Sequence, residues 1–461
     1  MHVMYVHQNF PAQFGHIASH LATRLNWKCS FVTQAPPGTS DGIERIQYKL
    51  AGGATKSNHF CSRTFENTIW HCDGVFRALK ARPEVRPDLI VGHSGFGSTL
   101  FLRELYPDVP CVNFFEFYYS PHDPDSDMDF RQDLGWEIQE IKYLRSRARN
   151  AMILLDLQNC QVGYIPTNFQ RSKFPEIYQP KLRTIFDGVD RNVYHGFNEE
   201  LRPPVSQRVH RKIAGIDIPP NKRVVTYVSR GFESMRGFDI FMRSAKLICD
   251  RYPDVQIIVI GTDRIAYGGD EGYLNGKTFK QWVLSQDKYD LDKIRFVGRI
   301  NPLELARVLA SSDLHIYLTV PFVLSWSMMD AMSAGAVVLG SATSPVKEMI
   351  RNGENGFLAD FFKPEEFAEK AVKVLCNPDE FRPLGRAAEQ MIQEKYSLDA
   401  VLPEMLKLYE EARTMPTEPP HPPKPVRVTA TPVAPSASPP PRPSAGKHSH
   451  PSGSRKSPFR G

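Results

Sequence analysis

LHIYLTVPFVLSWSMMDAMSAGAVVLGS, residues 314–341, changes its hydrophobic period twice. LHIYL reads as a buried strand, and Pro321 helps to end it. Ser325 then stands where an N-cap belongs, ahead of a helix predicted from about Trp326 to Ala334 and stopped by Gly335. AVVLGS returns to a strand, and strand–helix–strand is the unit of a parallel sheet. The free amides and dipole of such a helix start favour an anion, and the Ser327 hydroxyl adds a further polar group. Asp330 lies three residues after Ser327, so the two share a face. A carboxylate there can accept hydrogen bonds from the hydroxyls of a ribose. The stretch therefore suits a nucleotide whose phosphates meet Ser325 and whose ribose meets Asp330. Taken alone, the stretch is better explained by a partly exposed helix acid behind an ordinary serine cap.

The same alternation extends in both directions. HVMYV, CSFVT, DLIVG and PCVNFF read as strands of a first half, and VVTYVS, VQIIVIG, IRFVG, LHIYL and AVVLGS as strands of a second. The Gly-, Pro- and charge-bearing segment 195–207 between them is the expected hinge. The chain is thus expected to be α/β, with one Rossmann-like doubly wound domain over 1–195 and a second over 196–396. A terminal helix over 397–415 should pack back on the first domain, and 416–461, dense in Pro, Ser and Lys/Arg, should be a disordered tail. Ligands of open α/β sheets sit at strand C-termini, so a cleft between the two domains is the expected site.

A second motif sharpens the first. In VVTYVSRGFESMRGFDIFMRSA, residues 224–245, Arg230 ends a strand and Arg236 precedes a helix. Two guanidinium groups at a sheet's C-terminal edge suit a diphosphate.

Composition narrows the function classes. The seven cysteines are scattered, odd in number and never paired as CxxC, which argues for reduced thiols rather than a disulfide framework or a zinc site. No run approaches the about 18 apolar residues of a membrane helix. The formal charge of +6 equals that of the segment from Pro416 onward, so the body is neutral and nucleic acid is not an expected partner. The expected location is the cytoplasm. Lys142, Arg145, Arg147 and Arg149, spaced along one helix, read as a solvated face or as peripheral contact with the inner membrane face. The acidic DPDSDMD, residues 123–129, reads as a polar loop, and no metal is expected.

Together these residues resemble family 4 of the retaining glycosyltransferases, which have the GT-B fold. The resemblance runs over roughly 1–412 through HQNFPAQFGHIASHLA, PDLIVGHSGFGS, PTNFQRSKFPEIYQPKLRTIFDGVD, SRGFESMRG and the stretch from FVGRINP to NGENGFL. PFVLSWS with HQNFP is similar to a bacterial subgroup of that family. The resemblance implies a nucleotide-diphosphate sugar as donor substrate, no cofactor, and a glycan, lipid-linked or small-molecule acceptor. It implies that Arg230 and Arg236 hold the diphosphate, that Leu324, Ser325, Trp326 and Ser327 meet sugar and phosphates, and that Asp330 holds the ribose. Arg299 and Ile300 would flank the base, His93 would stand beside the transferred sugar, and Asn9, Gln13 and Gly15 would lie in the loop facing phosphate and acceptor.

Two departures stand out. Phe322 replaces the first acid of the family's E-x7-E element, whose role is to bond donor-sugar hydroxyls, and the second acid is Asp330 rather than Glu. Pro11 and Gln13 stand where a Gly pair is common. An altered sugar-binding mode is one reading, and a catalytically silent sugar-nucleotide sensor or scaffold is the other. A phosphorylase would need a lysine-linked pyridoxal site, for which no motif is found. Glu116, in VNFFEFYY, reads as a polar residue ending a strand, and the glycine-rich 261–277 as a lid or a surface excursion.

Overall fold

The computed structural model describes residues 1–196, 198 and 200–417. The tail expected to be disordered therefore lies, from 418 onward, outside the described residues.

Runs of three to seven residues, mostly apolar, become two sheets. The first takes β1 (His2–Val6), β2 (Lys28–Thr33), β3 (Gly38–Ser40), β4 (Ile43–Gln47), β5 (Leu89–His93), β6 (Cys111–Phe114), β7 (Val162–Ile165) and β8 (Leu182–Thr184) in the order β3-β4-β2-β1-β5-β6-β7-β8. All its pairings are parallel except β3 with β4. A short hairpin, β9 (Arg211–Ile213) with β10 (Ile216–Ile218), precedes the second sheet. That sheet takes β11 (Arg223–Ser229), β12 (Val255–Gly261), β13 (Ile294–Gly298), β14 (Leu314–Tyr317), β15 (Val338–Ser341) and β16 (Phe357–Ala359) in the order β13-β12-β11-β14-β15-β16, all parallel.

Leaving aside the antiparallel edge strand β3, each order reverses direction once, between β1 and β5 in the first sheet and between β11 and β14 in the second. A crevice opens where neighbouring connections leave to opposite faces, at the strand C-termini. His7 and His93 stand at the first switch point, and Arg230 with Thr319 at the second. Topology alone thus brings these four residues to two crevice mouths.

The chain returns at its end to the first sheet. A helix over Leu398–Thr414, capped by Ser397 accepting from the Ala400 amide, packs against β6 and β7. Its Tyr409 hydroxyl lies 3.3 Å from that of Tyr5 on β1. The segment expected as a hinge is pinned over its later part. Arg202 is buried and donates to the carbonyls of Ser312 and Gly335, and Arg208 forms a buried ion pair with Asp313. Guanidinium groups are long enough to tie this connector, at residues 202 and 208, to the second sheet. Among the described residues, no helix is long and apolar enough to cross a membrane.

Candidate functional site

The second crevice is built around Arg236. Gly237 takes φ +58°, a left-handed conformation that turns the chain from Arg236 into the helix Phe238–Arg251. The Arg236 side chain is buried. Its Nη1 donates to Thr319 Oγ1 at 2.7 Å, to the Val323 carbonyl at 2.9 Å and, more weakly, to the Tyr317 hydroxyl at 3.4 Å. That same hydroxyl accepts from the Ser325 amide at 2.8 Å. The guanidinium and the helix start are thereby joined through one oxygen, which holds them at a fixed separation. The helix runs Trp326–Ser333 with Ser325 as N-cap, one residue shorter than the sequence predicts. One refinement follows: the Ser325 amide is already occupied by Tyr317, and the Ser327 amide by Ser325 Oγ at 3.3 Å.

Arg230 is exposed at the end of β11. Its guanidinium and that of Arg236 both lie over the ring of Tyr267, at 6.0 and 5.0 Å from the centroid. Tyr267 belongs to the glycine-rich loop after β12, and that loop is anchored rather than free. The fully buried Glu233 accepts at Oε2 from the amides of Ala266, Tyr267 and Gly268 at 3.0, 2.8 and 2.9 Å. Asp270 accepts from the Ser234 amide and hydroxyl at 2.8 and 2.6 Å. The carboxylates thus fix the ring against which both arginines rest.

Asp330 is half-buried on the helix, and the apolar protein around it pushes its carboxyl up to about 8. Trp326 is 46% exposed, yet its Nε1 donates to Asp187 Oδ2 at 2.8 Å, across to the first half. Burial raises Asp187 to about 7. Leu324 is buried beside Arg236's partner Val323, and Ser327 Oγ reaches the Val228 carbonyl at 3.3 Å. Phe322 is buried and packs its ring on Phe117 of the first half at 4.8 Å and on Tyr267 at 5.8 Å. In place of an acid, an aromatic contact closes this corner.

In the first crevice, His93 is buried and its Nδ1 donates to the Ser94 carbonyl at 2.8 Å. Nε2 is therefore the acceptor nitrogen, so His93 offers a ligand an acceptor and not the donated hydrogen bond that the sequence also allows. Burial, with His7 beside it, pushes its pKa down to about 3, so it is neutral. His7 meets it ring to ring at 5.1 Å and takes the Asn9 amide on Nδ1 at 2.9 Å. Burial lowers His7 to about 4. Gly97 lets the His93 loop lie against β1, since a Cβ there would fall 2.0 Å from the Val6 carbonyl oxygen.

Not every expected residue joins these clusters. Asn9 is exposed near His7, whereas Gln13 leaves its Nε2 buried without a partner and Gly15 packs against Pro11. Arg299 and Ile300 follow β13, two strands away from β11; Arg299 is exposed and Ile300 packs into an apolar cluster around β11 and β12. Three of the four cations read as a solvated face are engaged within the molecule. Lys142 lies 4.3 Å over Tyr273, Arg145 4.7 Å over Phe60 and Arg149 3.7 Å over Tyr119. In the acidic loop, Asp123 and Asp125 pair with Lys173 at 3.0 and 3.4 Å.

Sequence reasoning did not find His7, Asp187, Glu233 or Tyr267, and it undervalued Glu116. Glu116 is half-buried just beyond β6; burial raises its carboxyl, opposed by the nearby charges of Arg236, Arg230 and Arg149. Its carboxylate makes no hydrogen bond among the described residues. The usable signals were the symmetry of His7 and His93 at two central strand ends, and the acid inside SRGFESMRG.

Two Rossmann-like α/β sheets, each with its crevice lined by polar groups, are the architecture of GT-B glycosyltransferases. Known proteins agree. Residues 25–194 match the model "Glycosyl transferase family 4 group" and residues 210–393 the model "Glycosyl transferases group 1". The chain belongs to this glycosyltransferase family. It is 25% identical over 251 residues to spore coat protein SA of Bacillus subtilis, covering 52% of this chain and 62% of that protein. It is 24% identical over 230 residues to trehalose synthase of Pyrococcus horikoshii, covering 48% and 52%. The chain thus spans between about half and three-fifths of these relatives' lengths. In fold it is similar to sucrose-phosphate synthase of Thermosynechococcus elongatus, with TM-score 0.65 at 16% identity, covering 89% of this chain and 98% of that one. HepE of Anabaena, solved in complex with UDP and glucose, gives 0.59 at 14% identity, covering 89% and 99%.

Proposed function

We propose that the chain moves a sugar from a nucleotide-diphosphate donor to an acceptor hydroxyl, with retention at the anomeric carbon and without a metal ion. The observation that supports this most is the junction at the Tyr317 hydroxyl, where Arg236 and the Ser325 amide meet. In this reading, Arg236 and Arg230 face the diphosphate, and Asp330 takes the ribose hydroxyls. As the bond from the anomeric carbon to the phosphate oxygen breaks, its electron pair stays on that oxygen. The Arg236 guanidinium, held by Thr319 and Val323, and that of Arg230 at the strand end stabilise the charge that develops there. The acceptor oxygen bonds to the same face of the sugar, and its proton passes to the departing phosphate oxygen. Neutral His93 takes a sugar hydroxyl's hydrogen bond on Nε2 and does not act as an acid. Cationic side chains supply the charge a metal would otherwise bring, so EDTA should leave turnover unchanged.

One observation favours a second reading, a sensor that binds sugar nucleotides without turnover: Phe322 buries an aromatic ring where its family carries an acid. A panel of UDP-, GDP- and ADP-sugars separates the two. Nucleotide release, with an anomeric proton of the donor's configuration in the product by NMR, supports the enzyme. Binding of a donor with no release across the panel, with or without acceptors, supports the sensor. Absence of binding throughout removes both.

A further inference from the structure

Asp156, near the end of the helix Glu140–Asn159, is completely buried, yet no step of the proposed transfer uses it. Taking a carboxylate out of water is costly unless donors or a cation compensate. Among the described residues, no lysine or arginine pairs with it, and the thiols of Cys72, Cys111 and Cys160 stand within its electrostatic reach. Its compensation comes from two hydroxyls. Ser94 Oγ donates to Oδ2 at 2.9 Å and Ser98 Oγ to Oδ1 at 2.7 Å. Burial pushes the carboxyl up to about 7, and these two bonds oppose the rise.

Ser94 and Ser98 are the two ends of the turn that follows β5. One carboxylate therefore closes the turn with an oxygen for each end. An asparagine, with a single acceptor oxygen, could take only one of these hydroxyls in the same way.

The turn carries the histidine of the first crevice. His93 Nδ1 donates to the Ser94 carbonyl at 2.8 Å. With the proton on Nε2 instead, two acceptors would face each other across that distance, so the placing of this carbonyl selects the tautomer. The peptide that bears it leads into Gly95, at φ +88° with open space where a Cβ would stand. Glycine leaves that peptide free to rotate. The turn's own amides do not restrain it, because those of Phe96 and Gly97 both return to the His93 carbonyl and bypass that of Ser94. The Ser94 hydroxyl, held by Asp156, does.

We infer that Asp156 is a positioning residue for His93: by gripping both ends of the turn it keeps the Ser94 carbonyl against Nδ1 and leaves Nε2 as the acceptor the crevice presents. That Nε2 meets a sugar rests on the transferase reading above; the tautomer does not.

The test uses the full chain with isotope-labelled histidine, at about pH 8 so that Asp156 is ionised. NMR of the imidazole nitrogens reads the tautomer, and His93 is assigned by the signal lost in His93→Ala. The wild type is expected to carry the proton on Nδ1. In Asp156→Ala and Ser94→Ala a second population, protonated on Nε2, should appear. Asp156→Asn, which keeps one acceptor, should show less of it. Turnover of UDP-, GDP- and ADP-sugars should follow the tautomer, with kcat lower by about tenfold in both alanine variants and partly restored in Asp156→Asn. Affinity for UDP, GDP and ADP, by calorimetry, should stay within about twofold of the wild type. A purely structural Asp156 would lower the melting temperature and leave the His93 signal in place, and that result overturns the inference. So does a wild type protonated on Nε2, or a shifted tautomer with unchanged kcat. Should Asp156→Ala fail to fold, Ser94→Ala decides alone. A tautomer that shifts in a chain whose wild type turns over no donor upholds the positioning and removes the transferase reading instead.

Discussion

At the scale of single residues, the two arginines separate by burial. Arg230 is exposed, so Arg230→Ala should weaken nucleotide-sugar binding by about 1.5–3 kcal/mol, the loss of a charge-assisted hydrogen bond, and leave the melting temperature nearly unchanged. Arg236→Ala should weaken binding similarly and also lower the melting temperature, because Thr319 and Val323 lose their donor. Calorimetry and thermal unfolding on both variants check this, and unchanged affinity in both would remove the diphosphate clamp. Asp330 gives a pH dependence. Its carboxyl is raised from about 4 to about 8 in the folded chain, so the folded state keeps a proton that the unfolded state has released. Stability from this group is therefore present at low pH and is lost as pH climbs from about 4 through about 8. Binding runs the opposite way, since ribose hydroxyls donate best to the ionised form. Affinity for an uncharged-sugar nucleotide should rise by up to about tenfold per unit below pH 8 and level off above it. Asp330→Asn should abolish the slope, and a slope that survives in that variant would assign it to another group.

At the scale of elements, the glycine-rich loop is decided by one acid. Glu233→Gln replaces a charged acceptor of three amides with a neutral one, and should cost about 1.5–3 kcal/mol in urea unfolding. Hydrogen exchange at residues 266–268 should accelerate most, and donor affinity should fall because Tyr267 no longer backs the arginines. Exchange confined to other segments would show that the loop is held by something else. The central strands were legible because β11, β12, β14 and β15 are buried along nearly their whole length and read as mainly apolar runs, broken only by single polar residues such as Thr226, Gln256 and His315. Strands β8 and β16 are three residues long, too short to carry a period, and IERIQ of β4 spaces its two buried isoleucines three apart, which is not the alternation of a strand. The helix start at Ser325 was legible from its cap. The loop's anchoring was not, since the amides come from residues more than 30 positions after Glu233 and only the fold joins them.

At the scale of the whole molecule, the halves are joined by contacts that no local pattern announces. Glu348 of the second half caps a helix of the first, accepting from the Asn168 and Phe169 amides at 2.8 Å each. Trp136 stacks on Tyr273 at 4.7 Å. Arg131, from the segment after the acidic loop, reaches Asp239 with Nη1 and Nη2 at 3.0 and 2.7 Å and also donates to the Ser234 carbonyl. The sequence shows two sheets and a cleft because each sheet follows from its own strands; these ties depend on how two finished halves meet. The Arg131 pair makes that meeting testable. Both side chains are nearly buried, so Arg131→Ala leaves Asp239, among the described residues, with the weaker Arg243 contact at 3.4 Å. Removing one partner of a buried pair costs about 3–5 kcal/mol, and the remaining arginine places this case near the lower end. Asp239 and Ser234 flank Arg236, so the same substitution should loosen the donor loop from the first half. The expected outcome is a lower urea midpoint together with a weaker nucleotide-sugar affinity. Arg131→Ala with Asp239→Asn should recover most of the stability, because no charge is then left buried, but should not recover the affinity. Full recovery of both in the double variant would mean that the tie stabilises the molecule without aligning the site.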